Sequence, residues 1–100
     1  MYTGNIGIGY YSLYSISGSS AGDGFNIGIG YSAMQGISTG LRNISLGYRS
    51  GFNIATGGNN VLIGHQAGLS VKLNSNVAIG TDALYSDPSG SNNVAIGRQA

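Results

Sequence analysis

Few side chains of this sequence could support acid–base catalysis or metal binding. The chain has one histidine, His65, three acidic residues, Asp23, Asp82 and Asp87, and no cysteine. A paired-carboxylate hydrolase site needs two acids held together, whereas Asp87 lies in a turn-forming Asp-Pro-Ser-Gly run. A calcium loop would need more oxygen ligands at regular spacing. We therefore predict no catalytic residue, no cofactor and no metal site, and we expect that the chain is not an enzyme.

Glycine-rich segments such as GNIGIG at residues 4–9 superficially resemble phosphate-binding loops. This segment lacks the lysine of a P-loop, and no helical pattern follows it. The formal net charge of +1 gives no electrostatic basis for binding nucleic acid. No apolar run approaches the ~20 residues that span a bilayer. We therefore expect neither nucleic-acid binding nor membrane insertion in this segment.

A repeated five-residue motif, Asn-(Ile/Val)-x-(Ile/Leu)-Gly, dominates the chain. It occurs six times, with its asparagine at positions 5, 26, 43, 60, 76 and 93, so that successive copies are 21, 17, 17, 16 and 17 residues apart. Units of this length are too short to fold alone, and they bury a core only by stacking. The sequence therefore predicts a single repeat domain over residues 1–100. Because the chain stops partway into a repeat, we interpret it as a fragment of a longer protein.

Apolar residues alternate within each repeat, which is the period of a β-strand. We number repeat positions from the motif asparagine as position 1. The pattern predicts an all-β fold, a β-solenoid or β-roll of about six stacked repeats of 16–21 residues, with two short apolar segments per coil. We expect the aliphatic rows at positions 2 and 4, including Ile63, to point into the core. The row at position 3 should then face outward, and its one large member, Leu62, needs space there.

The motif asparagines form a further row along the stack. Stacked asparagines can hydrogen-bond to one another along the stacking direction, as amide ladders do in cross-β structures. Alternatively, each asparagine caps a turn locally through its side chain. Both roles are structural, so we assign no chemistry to this row.

The segments NVAIGRQA at residues 93–100 and NVAIGTDAL at residues 76–84 resemble repeats of trimeric fibre proteins. These are the head domains of trimeric autotransporter adhesins and related repeats of phage and other viral tail fibres. The resemblance covers essentially the whole chain, although the family's head repeat is shorter. It implies a left-handed β-roll, a parallel homotrimer around a common axis, and an extracellular location on a virion tail fibre or a bacterial cell surface.

The resemblance therefore implies a structural and adhesive fibre segment that attaches to a cell surface through a glycan or protein receptor. The alternative is a monomeric β-solenoid that binds an ordered surface such as ice or polysaccharide. At position 6 the sequence places rings in successive repeats, namely Tyr10, Tyr31, Tyr48 and His65. A ring offers apolar area with a polar tip, so this row could contact a ligand. The same rings could instead shield strand edges or pack at a subunit interface.

Overall fold

Each copy of the motif forms one short β-strand. The computed structural model describes residues 4–16, 24–86 and 89–100. Within them, the strands are β1 (Ile6–Ile8), β2 (Ile27–Ile29), β3 (Ile44–Leu46), β4 (Val61–Ile63), β5 (Val77–Ile79) and β6 (Val94–Ile96). They form one parallel sheet in chain order, with equivalent motif positions in register, for example Ile44 opposite Val61. The predicted all-β solenoid of stacked repeats is confirmed.

The second half of each coil is a series of tight turns rather than the second strand that we expected. In the coil of β2, the Ala33 amide donates to the Gly30 carbonyl at 3.2 Å, which closes one turn. The intervening Ser32 has a φ of 58°, as the third residue of a type II turn requires. The next amide, that of Met34, instead donates to Ser50 of the following coil at 2.9 Å. Amides thus alternate between closing a turn and joining two coils.

Non-glycine residues adopt positive φ angles repeatedly along this turn half. At position 7 the φ angle lies between 53° and 61° in every coil, and Met34 and Leu84 at position 9 have angles of 50° and 49°. Such angles are uncommon for residues other than glycine. The alternation of hydrogen bonds within and between coils holds them in this conformation. Residues other than glycine therefore form many of these turns.

The predicted facing of the strands is wrong. The middle residues Ser45, Leu62 and Ala78 are fully buried, whereas the aliphatic residues on either side are half-buried or exposed, up to 71% for Val94. Strand alternation separates two faces but does not identify the inner one. The interior of the coil is narrow, so small residues occupy it and the larger aliphatic rows at positions 2 and 4, Ile63 among them, lie outside.

The turn half supplies most of the large side chains of the core. Met34, Ile37, Ile54 and Val71 are completely buried. Leu62, the one large strand residue that points inward, occupies space left by two glycines of the turn half. A Cβ atom on Gly68 would lie 2.6 Å from a Leu62 methyl carbon, and one on Gly51 would lie 2.9 Å away. The expected need of Leu62 for space is confirmed, although that space is inside the coil.

The motif asparagines form the predicted ladder and also close each coil. The Asn26 Oδ1 accepts bonds from both the backbone amide and the side-chain amide of Asn43, at 3.0 and 3.1 Å. The Asn43 side chain also donates to the carbonyl of Gly57 at 2.8 Å, near the end of its own coil. The predicted ladder is therefore confirmed, whereas the second bond joins residues 14 apart and is not a local turn cap. Because Asn43 is fully buried, these bonds satisfy groups that would otherwise be costly to bury.

Candidate functional site

The four rings predicted to form a row lie on the outside of the solenoid at the corner after the strands. Tyr10, Tyr31, Tyr48 and His65 all have exposed side chains. The glycine that precedes each ring makes this corner. For example, Gly47 has a φ of 131°, and a Cβ atom there would lie 2.6 Å from the Gly64 carbonyl oxygen of the next coil. Only glycine permits this turn, so the motif glycine fixes where each ring projects.

The rings stack on one another along the solenoid. Ring centroids are 5.6 Å apart between Tyr10 and Tyr31, 5.5 Å between Tyr31 and Tyr48, and 5.0 Å between Tyr48 and His65. The interplanar angles are 16°, 11° and 13°, respectively. We call these four residues the ring ladder. The structure thus brings together all four residues that the sequence singled out, in a continuous exposed stack.

A groove lies beside the ring ladder, between it and the turn half of the first coils. Its volume is about 350 Å³, and it is lined by Tyr11, Tyr31, Ser32, Gln35, Tyr48, Arg49 and Phe52. We call it the aromatic groove. Small-molecule sites occupy roughly 300–1,000 Å³, so this groove is at the lower end of that range. It presents ring edges, a carboxamide and a guanidinium.

Arg49 is held in a defined orientation at this groove. Its guanidinium carbon lies 4.4 Å from the centroid of the Phe52 ring, within the range of a cation–π interaction. None of the residues that line the groove is acidic. The groove therefore carries the single positive charge of Arg49, whose planar guanidinium has five N–H donors.

Tyr11 adds a neutral phenol to the same groove. Its ring packs edge-on against Tyr10, with centroids 4.1 Å apart. A hydrogen bond with the Tyr10 side chain, followed by smaller effects of desolvation and of the neighbouring tyrosines, raises the pKa of Tyr11 above its ordinary value of 10.0. The Tyr11 hydroxyl thus remains protonated near neutral pH, and it places no negative charge beside Arg49.

Reasoning from the sequence missed five residues that line the groove, namely Tyr11, Ser32, Gln35, Arg49 and Phe52. Tyr11 and Arg49 occupy position 7, and Gln35 and Phe52 occupy position 10, which the alternation assigned to a second apolar segment. One available signal was Gln35, a polar residue in a row that otherwise carries Tyr14, Phe52, Leu69 and Tyr85. Its polarity indicates that this row reaches the surface.

The residues considered for acid–base chemistry do not assemble into a site within the part of the chain that the structure describes. Asp23 and Asp87 lie outside the described residues. Asp82 lines a second cavity of about 600 Å³ with Leu84, Tyr85 and Gln99, and its Oδ1 atom is buried without a hydrogen-bond partner. Over residues 4–16, 24–86 and 89–100, no three His, Cys, Asp or Glu side chains group as metal ligands would.

Among the residues that the structure describes, no helix is long and apolar enough to cross a membrane. Comparisons with protein-family models, with curated proteins and with solved structures find no match to this chain.

Proposed function

We propose that this chain is a structural and adhesive segment of a trimeric fibre, extracellular on a virion tail or a bacterial surface, that attaches to a cell surface. In this proposal it works through shape, stiffness and repeated surface rows rather than through catalysis. The observation that carries the proposal is the outer face of the parallel sheet, which consists of two complete aliphatic rows.

The outer face of the sheet is apolar in every coil. Positions 2 and 4 carry only Ile, Val or Leu, and the rows are in register from β1 to β6. We call this surface the aliphatic face. Its members include Ile6, Ile8 and Ile96, which are 48%, 57% and 66% exposed. A continuous apolar surface of this kind usually marks an interaction site.

The geometry of the aliphatic face favours further copies of the same chain as its partner. Each coil presents the same two side chains at the same height, so parallel copies can match coil to coil along a common axis. Neither row contains a charged residue, so packing the rows together leaves no charge unpaired. Closed rotational symmetry would cover the face in every protomer, whereas an open arrangement would leave it exposed at the ends. The trimer that the resemblance implies is one such closed arrangement.

The mass of the protein in solution tests the proposal. We expect sedimentation equilibrium at micromolar concentration to give three times the 10.1 kDa mass of one chain. Ile63→Asp places a charge on the aliphatic face, so it should dissociate the trimer while β-structure by circular dichroism is retained. Asn53→Asp adds the same charge at an exposed position of the turn half, and it should leave the trimer intact.

Two results would contradict this proposal. A monomer for the unmodified chain would favour a monomeric solenoid that binds an ordered surface. A trimer that survives Ile63→Asp would place the subunit interface elsewhere than on the aliphatic face. Attachment of the labelled protein to cells, measured on the fraction that sediments as a trimer, tests the adhesive part of the proposal separately from assembly.

A further inference from the structure

The ring ladder does not offer its inner ring faces to a ligand. A planar group inserted between two rings needs ~7 Å between them, twice the ~3.5 Å contact distance of carbon atoms. The centroids of Tyr31 and Tyr48 are 5.5 Å apart and those of Tyr48 and His65 are 5.0 Å apart. A sugar therefore cannot stack on the faces of Tyr31 or Tyr48 in this arrangement. It can reach only their edges and hydroxyl groups.

These edges form one side of the aromatic groove, and the turn half forms the other. Tyr31 and Tyr48 line the ladder side, and Gln35 and Phe52 line the turn side. The groove thus combines apolar ring surface with phenol and carboxamide groups that donate and accept hydrogen bonds. Sugar rings have the same combination, with apolar C–H faces and a rim of hydroxyl groups. None of the residues that line the groove belongs to the aliphatic face, so the proposed trimer contact does not use them.

Arg49 determines the charge of the ligand that fits. Its contact with Phe52, 4.4 Å from centroid to guanidinium carbon, orients the planar group before a ligand arrives. A guanidinium forms two parallel hydrogen bonds with a carboxylate or a similar oxyanion. No acidic side chain lines the groove to occupy those donors. A neutral sugar would leave this pairing unused, whereas an anionic sugar would satisfy it.

We propose that the aromatic groove binds an anionic sugar residue of a glycan, with its acidic group paired to Arg49 and its ring against Tyr48 and Phe52. This inference deepens the proposed adhesive function and rests on it, since it names the class of receptor that the segment would recognise. The ring ladder then serves as a rigid wall of the site rather than as a stacking platform.

Titration calorimetry of the trimer with three tetrasaccharides tests this proposal. The ligands are a tetrasaccharide of galacturonic acid, its fully methyl-esterified neutral form, and a sulfated tetrasaccharide of the same length. We expect the unmodified chain to bind the galacturonate or the sulfated ligand at least ~10-fold more tightly than the ester, because a hydrogen bond to a charged group is strong. Which of the two binds more tightly identifies the acidic group as carboxylate or sulfate.

Two substitutions separate pairing at Arg49 from general charge effects. Arg49→Gln is compatible with the left-handed backbone, because Gln66 and Gln99 occupy the same repeat position with similar φ angles. This variant should weaken anionic binding about 10-fold or more. Arg42→Asn removes the same charge away from the groove, at a position occupied by Asn59 and Asn92 in other coils. We expect the affinity of this variant to stay within about twofold of the unmodified chain, because Arg42 does not line the groove.

Three outcomes would overturn the inference, namely equal affinity for the acid and its ester, no binding of either anionic ligand, or unchanged affinity in Arg49→Gln. Sedimentation of the same samples distinguishes these failures from failure of the proposed function. A trimer that attaches to cells equally well in the absence and in the presence of each anionic tetrasaccharide as competitor would retain the adhesive proposal and reject the anionic-sugar site. A monomer that attaches to no cells would reject the proposed function itself.

Discussion

The coils of β2 and β4 fill equivalent interior space from opposite sides, which we call the strand wall and the turn wall. In the coil of β2, the strand contributes Gly28 and the turn half contributes the buried Met34. In the coil of β4, the strand contributes Leu62 and the turn half contributes Gly68, whose added Cβ would lie 2.6 Å from Leu62. The large side chain therefore comes from the turn half in the coil of β2 and from the strand in the coil of β4. In both coils the opposite wall contributes glycine.

The coil of β3, between these two, has a small residue on both walls. A Cβ atom added at Gly51 would lie 2.6 Å from the Ser45 hydroxyl, 2.9 Å from Leu62 and 3.2 Å from Met34. The large side chains of the two neighbouring coils therefore extend into this space. The comparison shows that the repeats keep the interior filled to the same extent. Either the strand or the turn half can supply the large side chain that fills it.

Truncating the large residue should have the largest effect in this comparison. We expect Leu62→Ala to lower the free energy of unfolding by about 2–5 kcal/mol, because it opens a cavity inside the solenoid. Met34→Ala should cost a similar amount, since the same space would be emptied from the other wall. Urea unfolding measures both, with the exposed Leu73 changed to alanine as a control. A loss below about 1 kcal/mol for Leu62→Ala would show that the coils can collapse around the space.

Moving the large residue across the interior should recover part of this loss. We expect the double variant Leu62→Ala/Gly68→Leu to be about 1–2 kcal/mol more stable than Leu62→Ala alone, because the leucine side chain at position 68 refills part of the cavity. Leu13 and Leu84 adopt the required positive φ at the same repeat position, so leucine is compatible with the backbone there. Gly68→Leu alone should be destabilising, by about 1–3 kcal/mol, because Leu62 already fills the space.

A complete double-mutant cycle by urea unfolding checks this expectation. Equal losses from Gly68→Leu in the presence and absence of Leu62 would mean that the two residues are independent. The presence of a large residue at position 62 and of glycine at position 68 would then be unrelated.

The smallest expected effect lies in the coil of β3. The Ser45 hydroxyl is buried without a hydrogen-bond partner, so Ser45→Ala should raise the free energy of unfolding by about 1 kcal/mol. Ser50→Ala is the matched control, because its hydroxyl donates to the Leu62 carbonyl at 2.7 Å. We expect that variant to lose about 1 kcal/mol. Thermal melting that places both variants on the same side of the unmodified chain would contradict the assignment.

The spacing of the motif was sufficient to predict the stacked coils, the in-register rows and the asparagine ladder. It was not sufficient to predict which face is inside, because alternation is symmetric between the two faces of a strand. The interior proved too narrow for the aliphatic rows, a constraint set by the turn half of the coil. That half could not be recognised in advance, since Met34 and Leu84 adopt angles that their residue types rarely favour.

The candidate site was predictable only where it depends on a single repeat position. The ring ladder follows from one repeat position, so its four members could be identified from the sequence. The aromatic groove combines residues from positions 6, 7 and 10 of neighbouring coils, and their proximity depends on the tight turns between them. Arg49 and Phe52 are three residues apart, a spacing that would separate them on an extended strand.

The asparagine ladder gives the solenoid an electrical polarity along its axis. In the steps from Asn5 to Asn60 and from Asn76 to Asn93, the side-chain carbonyl points toward the following coil and the side-chain amide toward the preceding one. The amide dipoles therefore add, much as peptide dipoles do in a helix. The end near Asn5 is the positive pole and the end near Asn93 the negative pole. Coils that join head to tail extend this alignment, whereas two like ends that meet would oppose their dipoles.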